Sequence, residues 1–339
     1  MKRALFFFSL LVLTAAFVSS GFFRWDVTLC GDANVDRDKV LEIEQARLQY
    51  AGFFHGDFDF GNDSLSSSAV VVHFRLRDTL RFSRERVNRL LTMEGRLRIC
   101  RTIPAKTLLF CIQKTDSAYY TDVLDMRIDN LAMGDGSLFT SPRDTMRLFT
   151  MLHVPLLDGY AYPKALSDYE SSSVLGYSKG EDTAIVNAIL HLPASLKAFP
   201  SYVKLCWEQV PSDLAYQRNG SRKWFALIAV NADSSGVFSP GKVSVSGRQP
   251  IDLPQQVLDI RVSPGQFGNW KLMTAGGQEL VALVDGNVLM RKTFTVPVGD
   301  GTFTLDGISG EELPLYRALL SSEPLPQPLK ICSETKLTH

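Results

Sequence analysis

The chain has 339 residues, 45% of them hydrophobic, enough to bury the cores of two ordinary domains. Lys plus Arg and Asp plus Glu number 36 each, so no global field gathers nucleic acid, and proteins are the expected partners. Five cysteines (Cys30, Cys100, Cys111, Cys206 and Cys332) are too few and too odd in number for a disulfide framework, and leave at least one thiol unpaired.

The first predicted element is a transmembrane helix over residues 4–23, a run of 20 uncharged residues behind Lys2 and Arg3 that stops at Arg24. A helix of that length matches the hydrocarbon core of a bilayer, and its twelve Leu, Phe and Val residues favour insertion by roughly 5 kcal/mol. Lys2 and Arg3 form a cytoplasmic stub, residues 1–3, and residues 24–339 are sent across the inner membrane. Phe22, Phe23, Arg24 and Trp25 read as an interfacial belt closing the anchor. A cleaved signal peptide is the competing reading, with small residues at Thr14-Ala15-Ala16 and Val18-Ser19-Ser20, and it would make the chain a periplasmic or secreted enzyme or ligand-binding protein.

A strand is predicted over Trp25 to Leu29, then a helix over Asp38 to Ala51 capped by Asp36 and stopped at Gly52. Gly56 to Ser68, rich in Asp, Gly and Ser, reads as a loop, and Val70 to Leu76 as a strand. Ser83 caps a second helix, Arg84 to Glu94, whose Val87, Leu90 and Leu91 stripe ends at Gly95. Arg96 to Ile103 and Thr107 to Gln113 read as two strands joined through Pro104. Cys100 and Cys111 could pair across that hairpin, although burial as small apolar residues is the plainer reading.

Short helices are predicted at Arg143 to Leu152 and Asp182 to Leu192, with a loop over Tyr160 to Gly180 between them. Beyond Ser201 the pattern turns to β. Its clearest part is a meander of strands at 270–274, 279–284, 287–298 and 302–305, with Asp285-Gly286 as the strongest turn signal. Pro324, Pro326 and Pro328 predict an extended, unpacked tail over 324–339. The fold class is therefore α+β: a transmembrane helix, a small α+β domain over 24–115 and a larger, mostly antiparallel β domain with a few helices over 116–323.

The segment Val27-Thr28-Leu29-Cys30-Gly31, the run Leu90-Leu91, Ile99-Cys100-Arg101, Pro104, Leu108-Leu109 to Tyr119, and the runs Gly134 to Phe139 and Pro155 to Gly159 are similar in kind and order to the bacterial cell-division FtsQ/DivIB family. The similarity covers residues 1–210. It implies a POTRA-like domain over 24–115 and a non-enzymatic, single-pass scaffold of the septum. Its partners are then small bitopic coiled-coil division proteins, and no small-molecule substrate or cofactor is expected.

No zinc spacing, phosphate loop or nucleophile elbow occurs. Ser201-Tyr202-Val203-Lys204 and Ser333-Glu334-Thr335-Lys336 satisfy S-x-x-K, yet the first opens a strand and the companion motifs of penicillin-binding enzymes are missing. Asp57, Asp59, Gly61 and Asp63 alternate as in a calcium turn, but Ser68 stands where the closing Glu belongs. His55, His73, His153 and His191 are scattered and lack a neighbouring nucleophile. One local field stands out: nine arginines between 75 and 101 against Asp78, Glu85 and Glu94. Of these, Arg75, Arg77, Arg81, Arg84, Arg86 and Arg89 form a candidate patch for an acidic partner or anionic headgroups.

Overall fold

The computed structural model describes residues 22–30, 36–54, 57–62, 69–77, 83–132, 148–155, 173–210, 223–248 and 257–338. In chain order these form β1 (Phe22–Cys30), α1 (Arg37–Tyr50), β2 (Phe58–Asn62), β3 (Ala69–Arg77), α2 (Arg84–Thr92), β4 (Leu97–Arg101) and α3 (Ala105–Ala132). Then come α4 (Leu148–Met151), β5 (Val174–Lys179), α5 (Thr183–Leu190), α6 (Pro193–Ala198), β6 (Val203–Gln209), β7 (Trp224–Asn231), β8 (Val237–Phe238) and β9 (Val243–Arg248). The chain ends with β10 (Val257–Val262), α7 (Phe267–Thr274), β11 (Glu279–Val284), β12 (Asn287–Thr293), β13 (Thr302–Leu305), α8 (Leu313–Ser321) and β14 (Lys330–Thr338). The class is α+β with mostly antiparallel sheets.

Two compact units arise: one from residues 1–97, 241–263 and 302–339, the other from 98–240 and 264–301. The boundaries differ from the expected 115/116 and 323/324 because β9, β10, β13, α8 and β14 return to the first unit.

In the first unit, β14-β1-β3-β2 form an antiparallel sheet. The order β1, α1, β2, β3, α2 followed by a last strand beside β1 is the split βαβ arrangement. Two elements depart from the expected order. The segment read as a loop over 56–68 holds β2, whose Phe58 is buried, and the strand that closes the sheet comes from the far end of the chain. Trp25, Val27, Leu29, Val70, Val72 and Phe74 alternate inward against Val40, Ile43 and Leu48 of α1 and Val87, Leu90 and Leu91 of α2. Both predicted caps are present: the Asp36 side chain accepts from the amides of Asp38 and Lys39, and that of Ser83 from Arg86. A second sheet, β13-β10-β9, carries α8, which also packs on α1 and α2.

The expected tail is thus a correction. Pro324, Pro326 and Pro328 do hold the chain extended. Buried Leu325 and Leu329 alternate between them, and their amides donate to Glu94 and Thr92 carbonyls, delivering the chain to β14.

In the second unit, β12-β11-β4-β8 and β5-β7-β6 are antiparallel sheets with α3, α5 and α6 packed around buried Leu108, Ile112, Val186, Ile189 and Leu227. Thr107 to Gln113, expected as a strand, lies in α3: the unbroken apolar run 108–112 carries no period, so the buried helical spacing of Ala105, Leu108 and Ile112 decides. Residues 270–274, also expected as a strand, lie in α7, where Trp270 and Met273 turn inward at helical spacing and Trp270 meets Phe238 and Phe294. The β11–β12 hairpin turns at Asp285-Gly286 as predicted, with φ of 50° and 86°. β13 pairs with β10 instead of β12. The loop read over 160–180 contains β5, paired with β7 and holding fully buried Tyr177.

Candidate functional site

Four arrangements collect the chemistry of the described residues. The first is the closing strand. Cys30 and Cys332 form a disulfide across 302 residues of sequence, joining β1 to β14. Beside it Ser333 Oγ donates to Thr28 Oγ1 at 2.9 Å, and Asn88 Nδ2 donates to Glu334 Oε1 at 2.6 Å. Arg84 pairs with the same Glu334 and lies over the Trp25 ring at 5.7 Å. The outer side of β14 is an open edge among the described residues, nine residues long with Lys330 and Lys336 in it.

The second is a seam between α2 and the start of α8. Arg86 pairs with Glu311 and Glu312, while Arg89 reaches Glu312 at 2.5 Å and the Tyr316 hydroxyl at 3.2 Å. Within the candidate arginine patch, Arg84, Arg86 and Arg89 pair with Glu334, Glu311 and Glu312 of the same unit. Arg75 and Arg77 sit in the β3 ladder opposite Arg24 and Phe22. Arg81, like Lys2, Arg3 and the anchor through residue 21, lies outside the described residues. The belt reading of Phe22 to Trp25 is corrected too, because all four are β1 residues and Trp25, 3% exposed, stacks on Phe74 at 5.1 Å. Among the described residues no helix is long and apolar enough to cross a membrane.

The third is a buried pair in α1. Arg47, fully buried, donates to the carbonyls of Leu90 (3.2 Å), Met93 (2.6 Å) and Glu94 (2.5 Å), and to Glu44 Oε1 at 3.3 Å. Those carbonyls close the C-terminal turn of α2, whose last oxygens have no partner within the helix. Gly95 follows with φ +73°, and a Cβ there would lie 2.8 Å from Arg47 Nη2. Burial pushes the Glu44 carboxyl up to about 8 against the opposing pull of Arg47, and its Oε2 has no hydrogen-bond partner.

A raised carboxyl pKa means that folding takes up a proton between about 4.5 and 8. The stabilising contribution is therefore complete below about 4.5 and is lost as the pH rises toward 8. Denaturant titrations from pH 4.5 to 8.5 are expected to show wild-type stability falling with a slope of at most about 1.4 kcal/mol per pH unit. Glu44→Gln is expected to flatten that component, and an unchanged slope in the variant would assign the titration to another group.

The fourth is polar chemistry on the sheets. Across sheet β14-β1-β3-β2 one row reads Thr335, Asp26, His73, Asp59, with His73 Nδ1 2.8 Å from Asp26 Oδ1. His73 Nε2 lies against Gly61, 2.4 Å from where a Cβ would stand, so backbone occupies the place a nucleophile would need. In the second unit Arg291 bridges Glu208 at 2.7 Å and Glu279 at 3.2 Å, and Ser173 donates to Glu279. This network is nearly buried, and each named charge meets its opposite.

Of the remaining expectations, Lys204 stands in β6 as read, while His55 and Asp63 lie outside the described residues. His153 joins the Tyr177 backbone, and His191 Nδ1 meets the Asn187 carbonyl at 2.7 Å. Among the described residues no three His, Cys, Asp or Glu side chains are grouped to hold a metal. Cys100, Cys111 and Cys206 are free, and Cys111, now helical, no longer faces Cys100 across a hairpin.

No protein-family model matches the sequence, and no curated protein matches it significantly. Solved structures similar to it include SecDF in its super-membrane-facing form, at 12% identity and a TM-score of 0.44 over 94% of this chain and 30% of that one. Another, a membrane component SecDF that enhances protein export, has 11% identity and a TM-score of 0.42 over 91% and 98%. A third, SecDF of Thermus thermophilus, a translocon-associated membrane protein, has 11% identity and a TM-score of 0.26 over 93% and 31%. The chain spans 30% of the length of the first. No function is carried across from likeness this distant.

Proposed function

We propose that the protein is a non-enzymatic, membrane-tethered scaffold whose bulk lies outside the cytoplasm and binds other proteins by adding their strands to its sheet edge. The observation that supports this most is the closing strand β14: a disulfide staples it to β1, and among the described residues nothing pairs with its outer edge over nine residues. A structural disulfide belongs to an oxidising compartment. An open edge strand offers backbone donors and acceptors to an extended segment, with alternate side chains supplying selectivity. The apolar run before β1 supplies the tether, with Lys2 and Arg3 on the cytoplasmic side. The similarity to FtsQ/DivIB names the setting, the septum of a dividing bacterium, and membrane-anchored division proteins as partners.

The test is a fusion to a fluorescent protein that folds outside the cytoplasm, expressed at native level, together with depletion of the chain. The expected results are retention in membranes after alkaline wash, concentration at the constricting mid-cell and filamentation on depletion. An even envelope signal with normal division would remove the septal setting and leave the tethered binding module, while release into the medium would remove the tether.

A further inference from the structure

The native disulfide joins the first strand to the last, and three thiols stand between them. Cys30 and Cys332 are 302 residues apart, and Cys100, Cys111 and Cys206 are all free in the folded protein. Loop-closure entropy falls on a growing chain in the opposite sense to this connectivity. Meeting Cys100 is roughly nine times more probable for Cys30 than meeting Cys332, and among all four acceptors Cys332 receives about one in twenty of the first encounters. The shortest loop of all closes between Cys100 and Cys111. An exported chain also emerges from its N-terminus, so Cys30 reaches the oxidising space with the three intervening thiols before Cys332 arrives.

A bond from Cys30 to Cys100 or Cys206 is incompatible with the fold. Cys30 belongs to β1 beside β3 and β14, whereas Cys100 and Cys206 are buried in the core of the other unit with Ile228, Val230, Val281 and Leu283. Cys111 lies within α3. A chain oxidised in the order of encounter therefore cannot assemble sheet β14-β1-β3-β2. Once folded, burial pushes the Cys206 thiol up to about 12 and raises that of Cys100, which keeps these two protonated.

We infer that this protein is an obligate client of a thiol–disulfide isomerase, which reshuffles early bonds of Cys100, Cys111 and Cys206 into the single Cys30–Cys332 bond. The inference rests on the extracytoplasmic part of the reading above. In the first step a disulfide-bearing oxidant accepts two electrons and two protons from a pair of client thiols and becomes a dithiol. The isomerase thiolate then attacks one sulfur of the misplaced bond, giving a mixed disulfide and freeing the other client thiolate. The Cys332 thiolate attacks Cys30 Sγ of a mixed disulfide, forms the native bond and expels the isomerase thiolate, so the shuffling itself gains and loses no electrons.

The test refolds the reduced, denatured full chain in detergent micelles, with oxidised and reduced glutathione alone or with catalytic protein disulfide isomerase added. Alkylation and peptide mapping by mass spectrometry read which cysteines are joined. Glutathione alone is expected to leave most of the early product with bonds from Cys100, Cys111 or Cys206, and the isomerase to raise the early native yield at least threefold. The triple variant Cys100→Ala, Cys111→Ser, Cys206→Ala is expected to form its one bond equally fast with and without isomerase. Equal wild-type rates and yields in both buffers would overturn the inference, and that comparison decides alone if the triple variant does not fold. Acid-quenched alkylation of cells separates the two readings. Free Cys30 and Cys332 there would overturn the extracytoplasmic reading and this one with it, whereas an intact native bond with isomerase-independent refolding would overturn this one only.

Discussion

Replacing Arg47 by leucine is expected to cost about 2–5 kcal/mol of stability, because it takes a buried donor away from several acceptors at once. Arg47 is fully buried and its guanidinium reaches three carbonyls of the turn after α2 as well as Glu44. Leucine removes this donor from the oxygens of Leu90 and Met93, while the Leu325 amide still reaches that of Glu94, and each unmet buried acceptor costs about 1–3 kcal/mol. Arg47→Lys is expected to recover only part of this, because an ammonium cannot span the fork that several carbonyls define. Glu44→Gln separates the two roles of the pair: Glu44 touches Arg47 and its own pKa is raised, so losing its charge is expected to cost much less than losing the guanidinium. The measurements are urea denaturation and hydrogen exchange of the α2 amides, which should open early in Arg47→Leu. A loss below 1 kcal/mol in that variant would mean that the carbonyls find other donors and that Arg47 is no keystone.

Local signals in the sequence proved readable where one residue type answers one backbone need. Asp36 and Ser83 cap the helices they were expected to cap, Gly95 takes a positive φ just beyond α2, which ends at Thr92, and Asp285-Gly286 turns the β11–β12 hairpin. The same signals failed where the deciding contact is remote. Nothing near residue 330 announces that β14 pairs with β1, since each side sees only an ordinary alternating run. The proline-spaced stretch at 324–328 fits a loose tail equally well until Leu325 and Leu329 are seen to be buried. Continuous apolar runs such as 108–112 have no period, so packing chose helix over strand.

The candidate site shows the same division. The arginine cluster was visible as a count of charges, but Glu311, Glu312 and Glu334 lie more than two hundred residues further along the chain, so a local count could not reveal that Arg84, Arg86 and Arg89 are paired. Arg47 carries no motif of its own; a charge at an inward position of α1, with Glu44 three residues before it, is the signal that could have found the pair. The staple left still less trace. An odd cysteine count says only that one thiol is unpaired, and the pair that forms is the most distant one in the chain.

Breaking that pair is the second large expected effect. Cys30→Ser, Cys332→Ser and the double variant are each expected to lose about 2–5 kcal/mol, toward the upper end because the bond closes so long a loop. The loss has a location: β14 is an edge strand held by β1 on one side only, and without the staple it keeps the backbone ladder, the Ser333–Thr28 contact and the Glu334 contacts with Asn88 and Arg84. Amide exchange in β14 and in β1 should therefore accelerate first, ahead of the second unit, whose sheets do not include either strand. Cys332 is solvent-exposed, so dithiothreitol should bring the wild type to the stability of the double variant and leave the variant unmoved. Glu334→Ala in the reduced protein should then loosen β14 further, because it removes the Asn88 and Arg84 contacts at once and leaves only the Ser333–Thr28 contact beside the backbone ladder, and the same substitution in the oxidised protein should cost less. Equal costs in the two redox states would show that the staple and the Glu334 anchors hold the strand independently. A larger cost on reduction would show that the disulfide keeps β14 in register when its other ties are lost, which is the condition for an open edge to remain a defined binding surface.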